Sequence, residues 1–177
     1  FAELFEDRQL SNDCKAAEKK LVKAASKVYK KFLASCPAPD APGSKQVTAL
    51  MTITGLIDAP KADKEFLSIN GAQGFSTFYG YYMLEAMAMA GNYQGALDVI
   101  REYWGAMIDL GATSFWEDFD INWIPNAAPI DELVPEGKKD IHGDCGAYCY
   151  VGFRHSLCHG WASGPTSWLS RHILGVE

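Results

Sequence analysis

The segment 111–120 places three carboxylates beside two aromatic side chains. Acid–base chemistry on sugars needs carboxyl groups held next to aromatic surfaces that stack on a pyranose ring and exclude water. The alternative is structural, because acidic residues also favour a helix N-terminus, where they meet the positive end of the helix dipole. The spacing alone leaves both interpretations open. The residues are Glu117, Asp118 and Asp120 with Trp116 and Phe119.

A second set of candidates precedes the predicted last helix, in the segment 154–165. His155, His159 and Trp161 lie in one loop, whose two glycines allow the chain to turn tightly. A lone histidine in such a loop is more often a structural hydrogen-bonding group than a catalytic one. Two histidines and a tryptophan at the mouth of the same loop leave the structural and the functional interpretations balanced.

A third set has the residue types of a metal site but not the spacing: Cys145 and Cys149 with His142, Cys158 and His159. A structural zinc ion takes four ligands, usually from CxxC-like pairs. Here three residues separate the first two cysteines, and the last two residues are adjacent, which is awkward for one tetrahedral ion. We therefore expect small buried cysteines and no metal. The loop 70–74 matches no phosphate-binding pattern, so no cofactor is expected.

The elements that must position these residues are helices. Apolar residues at a spacing of three to four predict helices over 14–34, 44–56, 75–90 and 93–110, and a last helix from Ser163 to Ile173. The lysines of the first helix predict a solvated face rather than a membrane or anion patch. The second helix is expected to turn four apolar residues inward: Val47, Leu50, Met51 and Ile57.

The helix 75–90 carries one charge, Glu85, and must therefore be surrounded by protein. A buried helix, a short turn and a half-exposed helix are typical of a two-layer ring of helical hairpins, and they are also compatible with a plain helical bundle. The residues 111–160 show little periodicity, which predicts a long irregular and functional region. We expect an all-α fold with almost no sheet beyond a short hairpin near 148–153.

Composition excludes some partners. The 16 Lys+Arg and 22 Asp+Glu residues give a net charge of −6, which argues against nucleic acid. The 177 residues, 48% of them hydrophobic, suffice for a core of one domain. The longest uncharged run, 66–84, is interrupted by polar residues and glycines, so no membrane span is predicted. The chain begins in a pattern typical of mid-helix, so we expect a piece of a longer protein, and the compartment stays open.

Two strings in this order resemble the α-L-rhamnosidases of glycoside hydrolase family 78. They are Gly111-Ala-Thr-Ser-Phe-Trp-Glu117 and Ser156-Leu-Cys-His159-Gly-Trp-Ala-Ser-Gly-Pro-Thr-Ser-Trp-Leu-Ser-Arg171. The resemblance covers roughly residues 70–176, whereas residues 1–65 fit only as generic outer-layer helices. It implies that residues 1–177 form a single domain, the C-terminal portion of an (α/α)6 catalytic barrel of the six-hairpin glycosidase type.

The resemblance also implies inverting hydrolysis of terminal α-L-rhamnosyl residues without a cofactor. In that mechanism a carboxylic acid protonates the leaving oxygen, while a carboxylate about 6.5–9.5 Å away activates water on the opposite face. The family's general base falls on Glu117, and its sugar-contacting histidine falls on His159. From position and chemistry, Trp116 and Trp161 are the predicted walls of the pocket.

The chain departs from the family in lacking the general acid, which lies upstream in the family's barrel. Asp58, Asp63 and Glu65 lie in a Pro/Lys-rich loop and are predicted to be solvated. The expected partners are a rhamnose-containing glycan or glycoside and either the missing half of the barrel or a second copy. The chain alone is predicted to be inactive. The segment 121–154 is longer than in the shortest relatives and is expected to shape an extra subsite.

Three alternatives stay open: another (α/α)-barrel glycosidase, a phosphorylase on the same kind of barrel, or a non-catalytic carbohydrate-binding or assembly fragment. The resemblance makes a periplasmic or secreted location an expectation for the parent protein.

Overall fold

The computed structural model describes residues 3–35, 38–39, 41, 43–141 and 155–176. The described part is mostly helical, so the all-α class is confirmed. The expected hairpin near 148–153 lies outside the described residues. The helices are α1 (Arg8–Ser35), α2 (Ser44–Ile53), α3 (Ala59–Ala62), α4 (Tyr79–Met89), α5 (Tyr93–Asp109) and α6 (Gly164–His172).

Short elements complete the described part. A π-helical turn, Asp63–Leu67, continues α3, and 3-10 turns span Ile121–Trp123 and Gly160–Ser163. Two strands of two residues each, β1 (Ala127–Ala128) and β2 (Lys139–Asp140), pair in parallel. The region after α5 is therefore irregular over its described residues, as predicted.

The chain divides into two compact units, residues 1–37 and 38–177. In the first unit all lysines of α1 are exposed, which confirms the predicted solvated face. Leu21 and Val28 are also exposed, by 69% and 66%. The predicted placement of residues 1–65 in the outer layer of a barrel stays a prediction.

The buried face of α2 differs from the predicted one. Leu50 is 39% exposed, and the buried residues are Ser44, Lys45, Thr48, Ala49 and Thr52. The apolar pattern misleads here because the small side chains of Ser44, Thr48, Ala49 and Thr52 let α2 pack closely on α4. Some of the polar groups that α2 buries find partners inside, although Thr48 Oγ1 makes no hydrogen bond within the described residues. Thr52 Oγ1 donates to the Thr48 carbonyl at 2.8 Å, and Lys45 Nζ donates to the Gly71 carbonyl at 2.6 Å.

Helix α4 is the centre of the second unit, and it packs against α2, α3, α5 and α6. The prediction that this helix is surrounded by protein holds for Met83, Leu84 and Ala86, which have no exposed surface, and is wrong at its C-terminal end, where Met89 is 53% exposed. Two glycines allow the close approaches. A Cβ on Gly80 would lie 2.7 Å from the Trp104 ring of α5, and a Cβ on Gly164 would lie 2.6 Å from Tyr81.

Helix α5 follows after one tight turn. Gly91 takes a left-handed conformation with φ of 78°, and the Asn92 side chain accepts a hydrogen bond from the Gly95 backbone N–H at 3.0 Å. This cap satisfies one of the free amides at the start of the helix. The apolar spacing over 93–110 predicts one inward face for this helix, and its residues Tyr103, Trp104 and Met107 are buried.

Within the described ranges, none of the helices combines the length and the apolar character that crossing a bilayer requires.

Candidate active site

The structure brings the two sequence motifs together. The backbone N–H of Glu117 donates to the Ser156 carbonyl at 2.8 Å, and that of His159 donates to the Phe115 carbonyl at 2.7 Å. The Ser114 hydroxyl adds a bond to the Leu157 carbonyl. Segments some forty residues apart therefore run side by side, and the predicted base and the predicted sugar-contacting histidine stand on adjacent backbones.

The Glu117 carboxylate is half-buried and held by the backbone. Its Oε2 atom accepts a hydrogen bond from the Ser156 N–H at 2.8 Å. The Glu117 carbonyl accepts a second bond, from Thr77 Oγ1 at 2.6 Å, and the Trp161 Nε1 atom lies 3.5 Å from the same carbonyl. A carboxylate fixed in this way points in one direction, which a group that activates a water molecule needs.

An exposed aromatic surface adjoins this carboxylate. The Trp161 side chain is 52% exposed, and its ring centroid lies 4.2 Å from that of His159. The ring of Phe78, which is 39% exposed, also packs against Trp161, 5.7 Å between centroids. An exposed indole beside a carboxylate and an imidazole is a surface on which a sugar ring can stack while its hydroxyls form hydrogen bonds.

Trp116 is placed differently from the prediction. Its indole has no exposed surface and packs edge-on against Phe119, 5.9 Å between centroids. The tryptophan next to the predicted base is therefore part of the hydrophobic core, where it fixes the Glu117 backbone and offers no face to a ligand. The pocket-wall role proposed for Trp116 has no support in this geometry.

The other members of the two motifs have structural roles. Asp118 is buried at 6% exposure. Asp120 caps the 3-10 turn Ile121–Trp123, because its Oδ1 atom accepts bonds from the Asn122 backbone N–H and side-chain amide. His155 is buried beside the Trp123 ring. Of the three carboxylates in the first motif, Glu117 is the one that lies at the exposed aromatic surface.

Helix α5 anchors both loops of the site. The Tyr103 hydroxyl of α5 donates to the Phe119 carbonyl, and Trp104 Nε1 donates to the Ala162 carbonyl at 3.3 Å. Each loop is thus tied to the same helix. Sequence reasoning missed Thr77 and Phe78, which belong to the turn before α4. The sequence pattern predicts both residues inside the helix 75–90, whereas α4 begins only at Tyr79, so no local signal indicates that this turn ends at the site.

A second cluster of titratable groups joins α4 to α6. Glu85 Oε1 lies 3.1 Å from His172 Nε2 and 4.0 Å from an Arg171 guanidinium nitrogen. The pKa of the Tyr81 hydroxyl is raised, first by burial and then by the negative charge of Glu85. The Trp168 ring packs 5.1 Å from His172 and is fully buried. This cluster is paired internally and fastens the last helix to the central one.

The third set of candidates, with Cys145, Cys149 and His142, lies outside the described residues. Among the residues that the structure does describe, no three His, Cys, Asp or Glu side chains come close enough together to hold a metal ion. Cys158 is a free, exposed thiol.

Comparison of the chain with protein-family models, with curated proteins and with solved structures found no match.

Proposed function

We propose that this chain carries the general-base part of an inverting glycoside hydrolase that removes terminal α-L-rhamnosyl residues. The observation that carries the proposal is the convergence of Glu117, His159 and Trp161 on one open surface. The resemblance of the two motifs to family 78 is the basis for proposing rhamnose as the sugar and inversion as the stereochemical outcome. Glu117 takes the proton of the attacking water, and His159 binds a sugar hydroxyl beside the Trp161 ring.

The proposed architecture is the C-terminal portion of an (α/α)6 barrel. Support comes from the hairpin of α4 and α5, whose first helix is largely buried and whose second is exposed on one face. Apolar side chains that the described residues leave exposed, such as Leu50, Ile53 and Ile108, are positions that further hairpins of a barrel would cover. The general acid then comes from residues outside this chain, and the chain alone is inactive.

The mechanism follows from the fixed direction of the carboxylate. The Ser156 N–H holds one oxygen of Glu117, which leaves the other to accept a proton from water. As that water adds to the anomeric carbon, the general acid protonates the departing oxygen on the far side. The exposed indole supports the ring, and the buried Thr77 holds the backbone of Glu117 in place while charge develops.

The decisive experiment is Glu117→Gln in the protein at its natural full length, assayed on an aryl α-L-rhamnoside. The amide keeps the shape of the side chain but cannot accept the proton, so kcat should fall by about 10²-fold or more. Asp120→Asn, in the same motif but at the turn, should keep activity within a few-fold of the parent. Both variants should melt at the parental temperature.

The product gives an independent check. NMR of the first product formed should show the β-anomer if the reaction inverts. A Glu117→Gln variant with near-parental activity would overturn the base assignment. A parent that does not cleave the rhamnoside would overturn the proposed sugar.

A second candidate is a non-catalytic carbohydrate-binding module. It is favoured by the first motif, in which Glu117 is the one carboxylate at the aromatic surface, since Asp118 is buried and Asp120 serves as a cap. Binding of rhamnose by a protein that cleaves no rhamnoside, lost on Trp161→Ala, would establish this alternative.

A further inference from the structure

Phe78 is tied to the base-bearing segment through its neighbour. Thr77, 3% exposed, donates its hydroxyl hydrogen to the Glu117 carbonyl at 2.6 Å. The next residue in the chain is Phe78, immediately before α4. The position of the Phe78 ring relative to Glu117 is therefore set by one buried hydrogen bond and one peptide unit.

The Phe78 ring is held firmly and yet remains accessible. Tyr79 and Tyr82 meet it edge-on, with centroids 5.1 Å and 5.7 Å away, and Trp161 packs at 5.7 Å. Even so, 39% of the residue is exposed. An aromatic ring supported from three sides loses little conformational entropy when a ligand covers it, which makes it an efficient contact.

The two rings in contact with Trp161 differ in chemistry. The His159 imidazole, 4.2 Å away between centroids, can donate or accept hydrogen bonds. The Phe78 ring, 5.7 Å away, can do neither. A hydroxyl placed against that ring loses its bonds to water without replacement, whereas a methyl group placed there gains from burial.

We propose that Phe78 is a specificity-determining residue that makes the site select a 6-deoxy sugar over its 6-hydroxyl counterpart. The inference rests on the proposed function: a sugar ring across Trp161 directs hydroxyls toward His159 and its C6 methyl toward Phe78. The corresponding sugar with a C6 hydroxymethyl group brings an oxygen against the Phe78 ring, which offers it no hydrogen bond.

The test compares two substrates that differ by one oxygen, an aryl α-L-rhamnoside and the aryl α-L-mannoside with the same aglycone. The measured quantity is the ratio of their kcat/KM values in the full-length protein. Phe78→Ala should lower this ratio by about tenfold, within the range that one methyl group in an apolar pocket provides. Phe78→Tyr keeps the ring and adds a hydrogen-bonding group, so it should lower the ratio as well, and it tests the proposal if the alanine variant does not fold.

Met89→Ala is the matched control, because Met89 is 53% exposed at the opposite end of the same helix. It should leave the ratio unchanged. If both Phe78 variants cleave the rhamnoside with the parental ratio, the specificity role is overturned while the proposed function stands. If the parent cleaves neither substrate, the proposed function fails, and the role of Phe78 falls with it.

Discussion

Two regions of this molecule contain the same three residue types, a glutamate, a histidine and a tryptophan, in opposite environments. At the candidate active site, Glu117 is held by a backbone N–H beside the half-exposed Trp161. At the junction of α4 and α6, Glu85 pairs with His172 next to the fully buried Trp168. The first glutamate is oriented beside an open surface. The second already has its partners, a histidine and an arginine.

The difference teaches that residue types do not define a site until exposure and pairing are known. A carboxylate that has a cationic or imidazole partner and a buried aromatic neighbour contributes to stability, because its hydrogen bonds are made within the fold. A carboxylate oriented by one backbone amide beside an exposed indole has capacity left for a ligand. The two regions should therefore respond oppositely to the same substitutions.

The largest difference is expected for the two tryptophans. Trp168→Ala removes a fully buried indole and should lower the free energy of unfolding by about 3–5 kcal/mol. Trp161→Ala removes a half-exposed one and should cost less than about 1 kcal/mol. Denaturant titrations of the full-length protein measure both values. Equal losses would contradict the distinction between a packed junction and an open site.

The two glutamates provide the next contrast. Glu85→Gln replaces a charged hydrogen bond with a neutral one at a side chain that is 16% exposed, so the free energy of unfolding should fall by about 1 kcal/mol. Its activity on a rhamnoside should stay within a few-fold of the parent at a temperature where it is folded. Glu117→Gln should show the reverse, loss of activity with little loss of stability. A loss of catalysis in both variants would show that the two regions are functionally one.

The fold could be predicted where packing follows the helical period. The α5 residues Tyr103, Trp104 and Met107 are apolar, recur at helical spacing and are buried as expected. The prediction was wrong for α2, where Ser44, Thr48 and Thr52 face inward and Leu50 does not. Hydrophobicity misleads when small polar side chains permit a closer approach of two helices, as Thr52 does while its hydroxyl donates to the Thr48 carbonyl of the same helix.

The two motifs of the site could be predicted from the sequence, but their contact with each other and the exposure of their side chains could not. The pairing of Glu117 with Ser156 joins residues 39 apart, and no local pattern reveals such a contact. Trp116 and Trp161 have the same chemistry in the sequence, yet one is fully buried and the other is half-exposed. Thr77 and Phe78 belong to the site because the turn before α4 ends there, which is a property of the packed structure.

The smallest expected effect is a change in the pKa of Tyr81, which reports on the junction of α4 and α6 alone. The pKa of Tyr81 is raised above its ordinary value of 10.0, first by burial, then by the charge of Glu85 and a hydrogen bond to it, while Ser167 and Arg171 act in the opposite sense. A raised pKa means that the folded state holds the phenol proton more tightly than the unfolded chain does. Its contribution to stability is therefore complete below pH 10 and is lost as the pH rises through the folded-state pKa.

Glu85→Gln should lower the pKa of Tyr81 toward its ordinary value without reaching it, because burial, the largest cause, remains. The phenolate absorbance of the full-length protein, corrected by subtracting a Tyr81→Phe variant, measures this pKa. Asp98→Asn, on the exposed face of α5, should leave it unchanged. Glu117→Gln should leave the Tyr81 pKa unchanged too, because Glu117 is not among the groups that shift it. A lower Tyr81 pKa in the Glu117→Gln variant would contradict the independence of the two regions, because it would show that a change at the candidate site alters the surroundings of Tyr81.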